Sequence, residues 1–199
     1  MSVIVVDNNK KLARIGLLGN PNVGKSSLFN ALTGLQQKVG NFPGVTVDKK
    51  TGTCQLSGQQ KISIVDFPGI YSLFAKSPDE RVVLEYLLNK DHLERPDCIL
   101  VLLDAVNMER SLMLYTQVID LGFQAIPVLN LVDVAAEQGV EIDVKLLSER
   151  LNTPVFTINA RNGKGLSDLK KHLDHLEATP NTNINTDFEH QLLLTQAKY

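Results

Sequence analysis

Gly19-Asn20-Pro21-Asn22-Val23-Gly24-Lys25-Ser26 decides how the rest of the chain reads. The stretch fits G-x-x-x-x-G-K-[ST] without a gap, the pattern of a loop that cradles phosphates. Its flanks agree. Ala13-Arg14-Ile15-Gly16-Leu17-Leu18 is an apolar run of strand length. Ser27-Leu28-Phe29-Asn30-Ala31-Leu32-Thr33 reads as a helix that Gly34 stops. Strand, glycine-rich loop and helix together give each residue a task. Gly19 and Gly24 let the backbone approach a ligand without a Cβ clash. The loop's N–H groups meet an anion at a helix start. Lys25 brings a point charge to the terminal phosphates, and Ser26 offers a hydroxyl to magnesium. The competing reading is a glycine-rich turn with a surface lysine, which the flanking elements disfavour.

Composition narrows the classes. The chain has 199 residues, enough for one domain and an appendage, and 43% are hydrophobic, enough for a sizeable core. The net charge of -2 gives no bias toward nucleic acid. Cys54 and Cys98 lie far apart, without metal spacing or a disulfide framework, which fits a reducing compartment. Neither a spanning apolar segment nor a signal peptide is legible, so the fragment reads as soluble.

Beyond residue 34 the chain alternates. Residues 1–12 hold Val3-Ile4-Val5-Val6, an edge strand or a tail. Residues 35–44 have no periodicity, two glycines and a proline, and read as a loop. A run from Val45 to Leu56 and the run Lys61-Ile62-Ser63-Ile64-Val65 flank a short turn and predict an antiparallel hairpin. Ser77-Pro78-Asp79-Glu80 opens a helix with a capping box. Residues 98–103 are wholly apolar and predict a central strand buried on both faces. A helix follows over 108–121, with Leu112, Tyr115 and Ile119 on its apolar face. Residues 125–130 form the next strand, Asp143 caps a short helix, 154–159 is a last strand, and Leu166, Leu169, Leu173 and Leu176 mark a last helix. The prediction is an α/β fold with a doubly wound, mostly parallel sheet and one antiparallel hairpin. A core domain over 13–176 precedes a polar linker at 177–186. Residues 187–199 read as the cut start of a second, helical unit, with Asp187 as its cap and too little length to bury itself.

Further strand ends name the nucleotide. Asp66-Phe67-Pro68-Gly69 is D-x-x-G: its aspartate holds magnesium through water, and the Gly69 N–H meets a γ-phosphate oxygen. Asn130-Leu131-Val132-Asp133 is N-x-x-D. A carboxylate there accepts from guanine N1 and N2, a donor pair that adenine lacks. Asn159-Ala160-Arg161 follows the last strand, with the Ala160 N–H within reach of guanine O6. Each fragment alone reads as a turn or a cap. Their order, each at a strand's carboxyl end, predicts a GTPase.

The loop at 19–26, Gly40-Asn41-Phe42-Pro43-Gly44-Val45-Thr46-Val47, Asp66-Phe67-Pro68-Gly69-Ile70-Tyr71-Ser72-Leu73 and the Asn130/Asp133 pair resemble the cytosolic GTPase domain of the bacterial ferrous iron transport protein B family. The resemblance covers 13–176. It implies that Thr46 binds magnesium and γ-phosphate, and that 35–47 and 66–77 are switches that order around GTP. With it come the nucleotide contacts: Gly19 through Ser27 without a gap, Gly44, Val45, Thr46, Asp66 through Gly69, Asn130 through Asp133, and Asn159 through Arg161. Asn22, Lys25, Thr46 and Gly69 carry the catalysis. Ser26, Thr46 and Asp66 hold Mg²⁺.

The resemblance also implies a helical spacer and a membrane permease for Fe²⁺ at the cytoplasmic face of the cell membrane. Oligomerisation through that membrane domain is left open. Ile70 stands where many GTPases place a water-orienting glutamine, and Leu131 where a lysine often covers the base. Resemblance to potassium-activated GTPases implies that the Asn22 amide oxygen ligates K⁺ in place of an arginine finger. A loop brace is the plainer role for Asn22. His172 and His175, one helical turn apart, read as solvent-facing. Two rival functions remain, a GTP-gated binding module with negligible turnover and an RNA-associated assembly GTPase. The second lacks the basic stretch it needs.

Overall fold

The computed structural model describes residues 14–35, 37–42, 45–58, 60–89, 95–176 and 185–196. The expectations for 1–12, for Gly44 and for most of the linker lie outside these residues. In chain order the elements are β1 (Arg14–Gly19), α1 (Lys25–Thr33), β2 (Gln37–Asn41), β3 (Asp48–Gln55), β4 (Lys61–Asp66), α2 (Pro78–Leu88) and β5 (Cys98–Asp104). There follow α3 (Met108–Asp120), β6 (Ala125–Asn130), α4 (Val132–Glu137), α5 (Val144–Leu151), β7 (Phe156–Thr157), α6 (Leu166–His175) and α7 (Thr186–Gln196). The strands form one seven-stranded sheet in the order β2-β3-β4-β1-β5-β6-β7. From β4 through β7 the pairing is parallel, while β2 and β3 extend it antiparallel.

β5 shows why its apolar run lies at the centre. All its residues are buried, and they divide by strand alternation. Ile99, Val101 and Leu103 pack into a core with α2, α3 and the C-terminal helix. Cys98, Leu100 and Leu102 pack into a second core with α1 and α6. The parallel register sets Leu17 beside Asp66, Gly19 beside Leu102 and Asp104 beside Asn130. The carboxyl ends of β1, β4, β5 and β6 therefore meet along one edge of the sheet, where α/β folds place ligands.

Several expectations need correction. Residues 37–41 are a strand rather than loop, and residues 45–47 are outside the ladder, which β3 enters only at Asp48. Every residue of β2 is exposed, so no hydrophobic pattern marks it; the open edge of β3 supplies its hydrogen bonds. The expected hairpin is thus part of a three-strand meander. The last strand keeps only Phe156 and Thr157 of the expected 154–159. In α3 the inward residues are Ser111, Leu114, Tyr115, Gln117 and Val118, whereas Ile119 is 42% exposed. Two polar residues displace apolar ones from that face because they have partners inside. α7 is also not left unburied: Leu192 is fully buried in the core beside β5, and Phe188 meets Phe74 edge-on with ring centres 5.8 Å apart. Its first turn is capped by the Asn185 side chain, which accepts from the N–H groups of Asp187 and Phe188, so Asp187 lies inside the helix.

Candidate nucleotide site

The phosphate loop joins β1 to α1 and turns on backbone conformations that few side chains permit. Gly24 has φ 91 and forms the N-cap of α1 without a side-chain cap, so the first N–H groups of that helix stay open. A Cβ on Gly24 would collide with Nδ2 of Asn130. Asn22 has φ 65, a left-handed conformation that asparagine tolerates better than most residues. This supports the brace role, and it leaves the exposed amide free to take a ligand as well.

The loop opens into a cavity of about 600 Å³. Asn20, Pro21, Asn22, Gly24, Lys25, Ser26 and Ser27 form one wall. Gly69 lines it next to the loop: a Cβ there would lie 3.0 Å from Cα of Pro21, so only glycine fits without displacement. Asn130, Leu131 and Asp133 line the far side with Asn159, Ala160 and Arg161. Asp79 and Val134 also face it. The motifs read at separate strand ends therefore share one cavity, in the size range of small-molecule sites.

Lys25 Nζ is ion-paired with the carboxylate of Asp66 at the end of β4. Asn130 ties the two sides of the cavity together. Its Nδ2 donates to the Val23 carbonyl at 2.9 Å, and its Oδ1 accepts from the Ala160 N–H at 3.3 Å. Asp133 is exposed at the start of α4, and its Oδ1 accepts from the Val134 N–H. Its Oδ2 accepts from Nδ2 of Asn159 at 3.0 Å. The sequence offered only the backbone of 159–161; the Asn159 side chain is an addition, and it orients the carboxylate. Leu131 has φ 64, a conformation that is costly for a branched side chain.

Other expected contacts stand apart from the cavity. Val23 and Phe67 are fully buried, so their side chains brace the site from behind. Phe67 stacks on Phe42 at 5.7 Å, and both meet Tyr86 at 5.3 Å. Gly19, Val45, Thr46, Asp66, Pro68 and Val132 do not line the cavity either, and Asp66 reaches it only through its pair with Lys25. Thr46 is the largest departure. Asn41 pairs with Asp48, and the Phe42 N–H donates to the Val47 carbonyl, so Thr46 rides on the tip of the β2–β3 hairpin. There it lines a separate cavity of about 560 Å³ against Lys76, Pro78 and Arg81 of the α2 entrance.

The donors can be matched to the implied ions. Ser26 lines the cavity and Asp66 is paired with Lys25; a hydroxyl and a carboxylate are hard oxygen donors, chemistry that suits Mg²⁺. Thr46 joins them only if its hairpin moves. The exposed Asn22 amide is an oxygen donor suited to K⁺. Among the described residues no group of His, Cys, Asp or Glu has the make-up of a protein-only metal site. The His172 ring lies 4.9 Å from that of Phe156, and burial lowers its pKa, with His175 adding to the effect. His172 is thus half-buried packing rather than solvent-facing. Both cysteines are buried and free, and burial, followed by Asp97, pushes the Cys98 thiol up to about 12.

Comparison with known proteins gives the family and the fold. The family model described as "Ferrous iron transport protein B" matches residues 13–173. The chain belongs to the ferrous iron transport protein B family. It is 42% identical over 196 residues to the Fe(2+) transporter FeoB of Salmonella typhimurium, covering 96% of this chain and 24% of that protein. For the Escherichia coli K12 transporter the values are 41% over 179 residues, 88% and 22%. The chain thus spans about a quarter of these relatives. The cytosolic domain of L. pneumophila FeoB superposes with a TM-score of 0.78 at 37% identity, covering 94% of this chain and 76% of that one. The cytosolic domain of the T. maritima FeoB iron transporter in its GMPPNP form gives 0.74 at 39%, covering 81% and 62%. The fold is accordingly that of a P-loop GTPase domain of this family. Among the described residues no helix is long and apolar enough to cross a membrane.

Proposed function

We propose that the chain binds guanine nucleotide and hydrolyses GTP to GDP and phosphate, as the nucleotide-driven module of a ferrous iron transporter. One observation carries the reading: the phosphate loop, Gly69, the Asn130/Asp133 pair and the 159–161 backbone open into a single cavity. Relatives solved with GMPPNP or GDP support it. In the bound state the loop N–H groups and Lys25 hold the phosphates, and the Gly69 N–H donates to the γ-phosphate. Asp133 accepts from guanine N1 and N2, and Ala160 N–H turns to O6. Water attacks the γ-phosphorus in line as the bond to the β–γ bridging oxygen breaks, and its proton ends on the released phosphate.

Ser26, Asp66 and, after hairpin movement, Thr46 hold Mg²⁺, and Asn22 holds K⁺. Bound there, the two ions supply positive charge against the phosphate oxygens. Ile70 is fully buried, so no side chain at that position orients the water. In the longer protein the switches gate an attached helical spacer and an Fe²⁺ permease from the cytoplasmic side.

Phosphate release tests the reading. We expect GTP turnover that is faster in KCl than in NaCl and a K⁺ response that is lost in Asn22→Asp, a substitution the left-handed backbone accepts. Equal rates in both salts overturn the K⁺ role. Guanine binding without turnover in either salt favours a GTP-gated binding module, the rival that the buried Ile70 makes specific. No guanine-dependent thermal shift overturns the reading altogether.

A further inference from the structure

Gln117 is the unexpected residue of α3. It is only 8% exposed, and its helix buries Leu114, Tyr115 and Val118 beside it. An amide on such a face loses hydration unless it finds partners. Gln117 finds them in the loop that follows D-x-x-G. Its Oε1 accepts from the Leu73 N–H at 2.7 Å and from the Ser72 hydroxyl at 3.1 Å. The Ser72 Oγ in turn accepts from the Phe74 N–H at 3.0 Å. Upstream, the Ile70 N–H donates to the Gly19 carbonyl at 3.2 Å, and Gly69 lies against Pro21. Downstream, Glu80 Oε2 accepts from the N–H groups of Lys76 and Ser77. Ile70 and Leu73 are fully buried and Ala75 is 1% exposed. The loop is thus pinned at its start, middle and end, and the middle pin comes from α3.

We propose that Gln117 is a positioning residue for the γ-phosphate. By holding Ser72 and Leu73 it keeps the Gly69 N–H at the mouth of the phosphate loop before nucleotide arrives. The inference rests on the GTP-binding reading above. It gives Gln117 a different weight for each nucleotide. Gly69 N–H meets only the γ-phosphate, so the latch contributes to GTP binding and turnover and leaves GDP binding alone. A purely structural amide would shift both nucleotides together.

The test uses the 199-residue chain. Affinities for GDP and for a non-hydrolysable GTP analogue are measured at fixed Mg²⁺ for wild type, Q117M and Q117E, alongside kcat and KM for GTP. Methionine keeps the shape and removes the acceptor; glutamate keeps an acceptor oxygen. We expect Q117M to weaken the analogue relative to GDP by about tenfold, the scale of one buried hydrogen bond, and to lower kcat with it. Q117E restores most of that ratio. Should Q117M not fold, S72A removes one donor of two and shifts the ratio in the same direction by about threefold. An analogue-to-GDP ratio unchanged in the folded variants overturns the latch alone. Wild type that binds neither nucleotide overturns the parent reading, and the latch with it.

Discussion

Asp133 is exposed, and Asn159 steadies it from the side with a 3.0 Å hydrogen bond. A carboxylate held this way accepts two parallel donors, and guanine offers them on N1 and N2. Asp133→Asn turns one acceptor into a donor facing the base's 2-position. Guanine affinity should fall by at least about a hundredfold, and xanthine nucleotides, which carry an oxygen there, should recover binding. Competition titrations with both nucleotide series check this; an unchanged base preference would remove Asp133 from the site. Asp133 was legible only through the order of the motifs along the chain, because N-x-x-D alone reads as a turn or a cap. The Asn159 side chain and Gln117 were not. Each is a polar residue whose meaning lies in a partner 26 or 44 residues away.

Among elements, α2 was fully legible and β2 was not. The α2 entrance obeys local chemistry: Ser77 accepts from the Glu80 N–H, Glu80 answers to Ser77, and Pro78 follows at N1. Ser77→Ala should cost about 1 kcal/mol and lower Tm by about 2–4 °C, read by thermal unfolding at constant nucleotide. β2 has Gly40 and Asn41, no buried residue and no alternation, and it exists because β3 offers an edge. This ladder keeps Thr46 at a hairpin tip, away from the phosphate loop. We expect the hairpin movement that brings Thr46 to Mg²⁺ on the nucleotide to loosen the β2–β3 ladder. Amide exchange over residues 37–41 should then rise when a GTP analogue replaces GDP. Equal protection in the two states would mean that the ladder stays closed when GTP replaces GDP.

For the whole molecule, the doubly wound sheet and the clustering of strand ends followed from the alternation of runs and the wholly apolar 98–103. The place of α7 did not. Phe188 and Leu192 stand one turn apart in a short polar segment, and the partner Phe74 lies far back in the chain. Leu192→Ala should destabilise the domain by about 2 kcal/mol, the low end for a buried leucine because a terminal helix can lift away. Urea unfolding measures it, and a loss within about 0.5 kcal/mol, typical of a surface position, would mean that α7 is not part of the core. The Lys25–Asp66 pair has a consequence at this scale too. Each charge already has its counter-charge, so a bare phosphate competes with an aspartate for the lysine, and a bare divalent cation competes with a lysine for the aspartate. A ligand that brings both charges at once exchanges partners with the pair and strands neither. Nucleotide and divalent cation should therefore enter as cooperative guests, each raising the other's affinity through a bond that belongs to neither.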